Sequence, residues 1–169
     1  MNFKNLIKKK NPIEYIIYWA IITSVIALDM MTKFLSYSLL QKVSTVPIIK
    51  GVIHFTYVEN RGAAFGMLKE HRWIFITISI VVSLGMLAYL FLGHADTRLM
   101  GVAMSMISAG GVANLIDRIS LGFVVDFIDF RLINFAVFNV ADSCVCIGAG
   151  LLILYLIREI IKEGKKHEA

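Results

Sequence analysis

Charge is scarce in this chain. Only 17% of its 169 residues are Asp, Glu, Lys or Arg, while 58% are hydrophobic and mean hydropathy is +0.75. A soluble domain carries nearer a quarter charged residues, so this composition excludes an ordinary soluble fold and indicates an integral membrane protein. Cysteine is scarce too. Cys144 and Cys146 stand two apart, a spacing that points them to different sides of a helix, so no disulfide framework and no CxxC metal site is available. There is no HExxH, and His54, His71, His94 and His167 are scattered, which argues against a zinc peptidase. GxSxG is absent. No basic patch interleaved with aromatics suggests nucleic acid. Internal repeats and low-complexity tracts are absent as well.

What is present is four apolar runs. They cover about 13–40, 73–92, 99–116 and 139–161, each near the ~20 helical residues that cross a hydrocarbon core. The expected architecture is an all-α, four-transmembrane-helix bundle forming a single integral membrane domain over 1–169. The basic N-terminus followed by an apolar run resembles a signal peptide. The run is too long for an h-region and lacks a clear cleavage site, so it reads as an uncleaved first span. An even number of spans puts both termini on one side. Lys4, Lys8, Lys9 and Lys10 at one end, and Arg158, Lys162, Lys165 and Lys166 at the other, make that side cytoplasmic. Segment 41–72 also holds five basic residues, but they are spread along a longer stretch.

Two outer connections follow, a β-rich segment at 41–72 and a loop at 117–138. In 46–58, Ile53, Phe55 and Tyr57 alternate with His54 and Thr56, and Lys50-Gly51 suits a turn. That period of two predicts a small β-sheet on the outer membrane surface. Gly101, Ser105, Ala109 and Ala113 recur every fourth residue in the third span, a stripe that lets another helix approach.

The scarce polar residues converge on one end. Asp29 and Lys33 lie about 24 Å along the first span at 1.5 Å per residue. Asn60 and Arg61 lie in the first outer connection, and Asn114, Asp117 and Arg118 close the third span. Asp126 and Asp129 lie in the second outer loop, while Asn139 and Asp142 open the fourth span. Structural roles compete with functional ones. Asp29 and Lys33 are spaced i,i+4 and can neutralise each other. Asn139 and Asp142 fit a capping box. Asn114 and Arg118 can simply close a helix. A carboxylate near hydrocarbon nevertheless costs several kcal/mol, roughly 2.5–3.5 at mid-membrane, and Asp126 sits among Val124, Val125, Phe127 and Ile128. A pair of carboxylates sharing a proton supports acid–base hydrolysis, with one activating water and the other protonating a carbonyl. A transporter would place its charges near the midplane; a non-enzymatic scaffold would not need convergent carboxylates.

Five blocks, in order, resemble the lipoprotein signal peptidase (signal peptidase II) family of bacteria. They are DMMTK (29–33), ENRGAAFGML (59–68), GGVANLIDR (110–118), GFVVDFIDF (122–130) and FNVADS (138–143). The resemblance implies a four-helix bundle with an outer sheet. It also implies an aspartic endopeptidase that removes signal peptides from prolipoproteins by cutting before a diacylglyceryl-modified cysteine. By the same resemblance Asp126 and Asp142 are catalytic, and Asp29, Lys33, Asn60, Asn114, Arg118 and Asn139 bind substrate or support the site. It implies no metal or cofactor, a multi-pass location in the bacterial plasma membrane with the site near the outer face, membrane lipid as a partner, and inhibition by globomycin. Ala113 stands where the family usually has glycine.

Overall fold

The computed structural model describes residues 11–62 and 72–167. The N-terminal lysines and the 63–68 part of the second block lie outside the described residues. Helix α1 spans Pro12–Leu40; Asn11 caps it by accepting from the Ile13 N–H at 3.0 Å, and Pro12 suits the first helical position. α2 spans Arg72–Phe91, α3 Arg98–Ser120 and α4 Val140–His167. All four are long and apolar enough to cross a membrane.

Their exposure pattern supports the same reading. Ile16, Phe34, Val81, Leu84, Ile153 and Ile160 are all more than half exposed. Such a girdle of large apolar side chains suits lipid rather than water. Only α3 is substantially enclosed, with half of its span buried against about a tenth for α2. The small-residue stripe explains this central position. Gly101, Ser105, Ala109 and Ala113 are all buried, and a Cβ on Gly101 would lie 2.2 Å from the Tyr18 ring of α1. On another side of α3, a Cβ on Gly110 would lie 2.4 Å from the Ala141 carbonyl of α4. Close helix approach through small residues is the packing device available when lipid supplies no hydrophobic drive.

The predicted hairpin is present as β1 (Thr45–Ile49) and β2 (Ile53–Asn60), turning at Gly51 with φ +78°. A third strand, β3 (Val124–Phe130), pairs antiparallel with β2 inside the stretch expected to be loop. Strand β3 is buried on both faces, so it lacks the alternation that marks a half-buried strand. The sheet is held on one side by a polar cluster. Asp129 accepts from Thr56 Oγ1 at 2.7 Å and pairs with Arg131 at 2.8 Å. Burial pushes the Asp129 carboxyl up, but the Thr56 and Arg131 hydrogen bonds outweigh it and hold it below the ordinary value.

Helix α3 runs four residues past the expected end of the third span, to Ser120. The extension contains Asp117 and Arg118, both of which find partners inside the fold.

Candidate active site

The polar residues gather at the end of the bundle that carries the sheet, in two adjoining groups. In the first, the ammonium of Lys33 sits at the centre. It contacts Asp29 Oδ2 at 2.6 Å and Asp117 Oδ2 at 2.9 Å, and donates to Asn114 Oδ1 at 2.9 Å. Lys33 and Asp29 are almost wholly buried. The expected i,i+4 neutralisation is therefore real, but it is only part of the arrangement. Asp29 also accepts from the Ala141 backbone N–H at 2.8 Å, satisfying a free donor in the first turn of α4. Asp117 accepts from the Val125 N–H at 3.2 Å, anchoring the start of β3. One buried cation thus ties α1 and α3 together, and its two carboxylates hold the elements that carry Asp142 and Asp126. Asp117 is among the polar residues that the sequence gathers at this end, but neither the residues nor the family resemblance assigns it a role at the site.

The second group contains the two candidate carboxylates. Asp126 projects from β3. A register shift between Phe55 and Val58 bends β2 and sets Val58 opposite Asp126 and Asn60 opposite Val124. From there Asn60 Nδ2 donates to Asp126 Oδ2 at 2.9 Å, while Asn60 Oδ1 accepts from Gly62 N–H. On the other edge of β3, the Phe127 and Ile128 N–H groups both reach the Phe138 carbonyl, at 3.0 and 2.8 Å. That pairing delivers Asn139 beside Asp126, where its Nδ2 donates to Asp126 Oδ1 at 2.7 Å.

Asn139 also caps α4. Its Oδ1 accepts from the Asp142 N–H at 2.8 Å, and its own N–H reaches Asp142 Oδ2 at 3.3 Å, the reciprocal pattern of a capping box. Asn114 Nδ2 donates to the other oxygen, Asp142 Oδ1, at 2.7 Å. Asn139 therefore bonds both carboxylates, and Asn139 Nδ2 also reaches Asn114 Oδ1 at 3.1 Å. The capping role and the proximity of the two acids belong to one geometry.

Asp126 and Asp142 open into a cavity of about 440 Å³ with Asn60, Arg118 and Ser143 at its polar end. Phe135, Val137, Phe138 and Cys146 supply apolar wall. Sequence reasoning had not placed Ser143, Cys146 or the 135–138 loop at the site. Burial, reinforced by the charge of Asp142, lifts the Asp126 carboxyl from 3.8 to about 7. Asp142 occupies the first turn of α4, where free N–H groups favour an anion. An acid that keeps its proton near neutrality beside a second carboxyl at a helix N-terminus is an arrangement suited to hydrolysing an amide.

A second cavity of about 460 Å³ lies on the opposite face of β3, reached by Val125 rather than Asp126. Its charged groups are Lys33 and Asp117, which are engaged with each other, and Glu59, which pairs with Arg61 at 2.8 Å. Of the residues expected at the site, Asn60, Asn114, Arg118 and Asn139 lie with the two acids; Lys33 and Asp29 stand behind them. Cys144 and Cys146 are both free thiols. Among the described residues no group of His, Cys, Asp and Glu is arranged to hold a metal ion.

Residues 21–158 match the family model described as signal peptidase (SPase) II. The lipoprotein signal peptidase of Halothermothrix orenii is 46% identical over 141 residues, covering 82% of this chain and 93% of that one. The lipoprotein signal peptidase of Brevibacillus brevis is 42% identical over 151 residues, covering 89% and 98%. A bacterial membrane enzyme solved by the in meso method at 2.3 Å superposes with a TM-score of 0.77 at 32% identity, covering 85% of this chain and 88% of that one. Motif order, helix count, sheet and near full-length similarity all point the same way, and the chain belongs to the signal peptidase II family.

Proposed function

We propose that Asp126 and Asp142 are the catalytic pair of this protein. Membership in the family makes it a membrane protease that removes signal peptides from prolipoproteins, so the assignment concerns which groups do the chemistry. The observation that carries it is the Asn139 side chain, which bonds Asp126 while its backbone and Oδ1 cap Asp142.

In this reading the Asp142 carboxylate takes a proton from a water, which attacks the scissile carbonyl. Asp126 enters protonated and donates to the carbonyl oxygen. On collapse of the tetrahedral intermediate the leaving amine takes a proton back from the pair. Asn60, Asn114 and Asn139 fix the two acids, and Arg118 offers its guanidinium to the substrate backbone. Lys33 and Asp29 are supporting rather than substrate-binding, because their polar atoms face each other and the first turn of α4.

The substrate is a prolipoprotein whose conserved cysteine carries diacylglycerol, cut just before that cysteine. The sheet end faces the outside of the bacterial plasma membrane, and both termini are cytoplasmic, in line with the charge bias of the ends. A site at the membrane boundary lets the acyl chains stay in lipid while the peptide reaches the acids. The apolar wall formed by Phe135, Val137 and Phe138 suits that division. Globomycin occupies the same cavity.

The test is cleavage of one prolipoprotein peptide with and without diacylglycerol, in micelles of purified protein. The lipidated form is cut, and globomycin abolishes cutting while zinc chelators do not. Equal rates on both forms, or inhibition by a chelator, would refute the reading.

A further inference from the structure

Helix α2 contains no charged side chain from Trp73 to Phe91, and its span is mostly lipid-facing. One of its rings nevertheless reaches Arg118, which lines the cavity of the two acids. The Arg118 guanidinium lies over the Phe75 ring at 5.5 Å from the centroid, within the range of a cation–π contact.

Arg118 faces the cavity shared by Asp126 and Asp142. Among the described residues its hydrogen bond runs from Nη1 to the Asn114 carbonyl, and at 3.4 Å it is long. One long bond does not fix a planar group with five N–H donors. The charges of Asp142 and Asp126 both act on this guanidinium, so it is drawn toward the acids. An arginine drawn fully onto either carboxylate would spend its N–H donors there and offer fewer to a bound peptide. The Phe75 face supplies attraction from the opposite direction, in a setting where desolvation strengthens it.

We propose that Phe75 is a positioning residue. Its ring holds the Arg118 guanidinium back from the acids, leaving the N–H donors pointed at the backbone carbonyls of the bound peptide. Helix α2 thereby takes part in substrate binding through one aromatic face. The inference rests on the catalytic-pair reading above. It also makes a specific kinetic statement. Asn60, Asn114 and Asn139 hold the two acids without help from Phe75, so losing the ring should weaken substrate binding and spare the chemical step.

The experiment compares Phe75→Leu with Phe75→Tyr in purified protein, using a diacylglyceryl-modified prolipoprotein peptide in micelles. Leucine keeps an apolar side chain of similar bulk and removes the π face; tyrosine keeps the face. Phe75→Leu should raise KM about threefold to tenfold with kcat within about twofold of the parent, and Phe75→Tyr should restore the parental KM. Thermal unfolding of both variants reports folding separately. An unchanged KM in Phe75→Leu, or an equal rise in both variants, overturns the proposal, the second because it marks a packing role. A folded Phe75→Leu that loses kcat at constant KM overturns it as well. Turnover retained by a folded Asp126→Asn or Asp142→Asn variant on the same peptide would instead refute the catalytic-pair reading.

Discussion

Replacing Asp126 by asparagine should abolish cleavage and stabilise the protein, with the stabilisation growing as pH rises. The folded state raises the Asp126 carboxyl from 3.8 to about 7, chiefly by burial and then by the charge of Asp142. The fold therefore binds this proton more tightly than the unfolded chain does. Stability from the group is complete below about pH 4 and is lost progressively as pH rises through about 7. Each unit is about 1.4 kcal/mol, so the ionised carboxylate costs on the order of 4 kcal/mol above neutrality. Asparagine does not ionise and escapes that cost. It offers one acceptor oxygen where the carboxylate offers two, to Asn139 at 2.7 Å and Asn60 at 2.9 Å, so one of those bonds is lost at about 1 kcal/mol. A net gain of roughly 3 kcal/mol is expected near pH 8, a rise of about 10 °C in Tm for a chain of this size. Near pH 4 the wild-type acid is protonated and has the same single free acceptor, so the two proteins should converge. The assay is thermal unfolding in detergent across this pH range, with cleavage measured on the same preparations. A difference in Tm that does not vary with pH, or a variant less stable at pH 8, would refute the argument from burial. Turnover retained beyond a trace would refute the catalytic assignment.

Other perturbations separate the two polar groups. Lys33→Met leaves Asp29 and Asp117 buried without their cation and should destabilise the fold by about 3–5 kcal/mol, read from thermal unfolding. Asp129→Asn should keep cleavage within a fewfold of wild type while lowering Tm at neutral pH. Because the fold depresses the Asp129 carboxyl, that loss should shrink as pH falls through the folded value. In single-cysteine variants lacking Cys144 and Cys146, an impermeant thiol reagent added outside cells should label position 50, exposed at the hairpin turn, far better than position 97, exposed at the start of α3. Stronger labelling at 97 would invert the orientation.

The parts of the fold that obey a simple repeat were legible in the sequence. Four apolar runs gave four helices because a bilayer leaves the backbone no other way to satisfy its hydrogen bonds over that length. The hairpin was legible from the alternation at Ile53, Phe55 and Tyr57. Strand β3 was not, because VVDFIDF carries apolar residues on both faces, both are buried, and its pairing with β2 is distant in sequence. The Asp126 block stands out through its resemblance to a family, while its strand conformation needs the tertiary partner. Asn139 shows the limit most clearly. Its spacing from Asp142 announced a capping box, but nothing local announced that the same side chain also reaches Asp126. Asp117 was visible as one of the polar residues at this end but not its partner, and Phe75 was silent, for the same reason: their partners, Lys33 and Arg118, are identified by how α1 and α2 lie against α3.

That placement also accounts for how four carboxylates are tolerated together. Asp29, Asp117, Asp126 and Asp142 face two cations, Lys33 and Arg118. Charge balance therefore calls for more than ion pairing, because isolated charges in a low dielectric cost several kcal/mol each. The two cations are not shared evenly. Lys33 contacts Asp29 and Asp117 directly, and backbone N–H groups from Ala141 and Val125 complete those two acids. Arg118 is left with Asp126 and Asp142, and one cation cannot neutralise both. The remaining imbalance is relieved by a proton on Asp126, which its carboxyl retains up to about pH 7. Burial first, and then the charge of Asp142 beside it, keeps that proton in place, while the Lys33 cluster holds the two elements that bring these acids together.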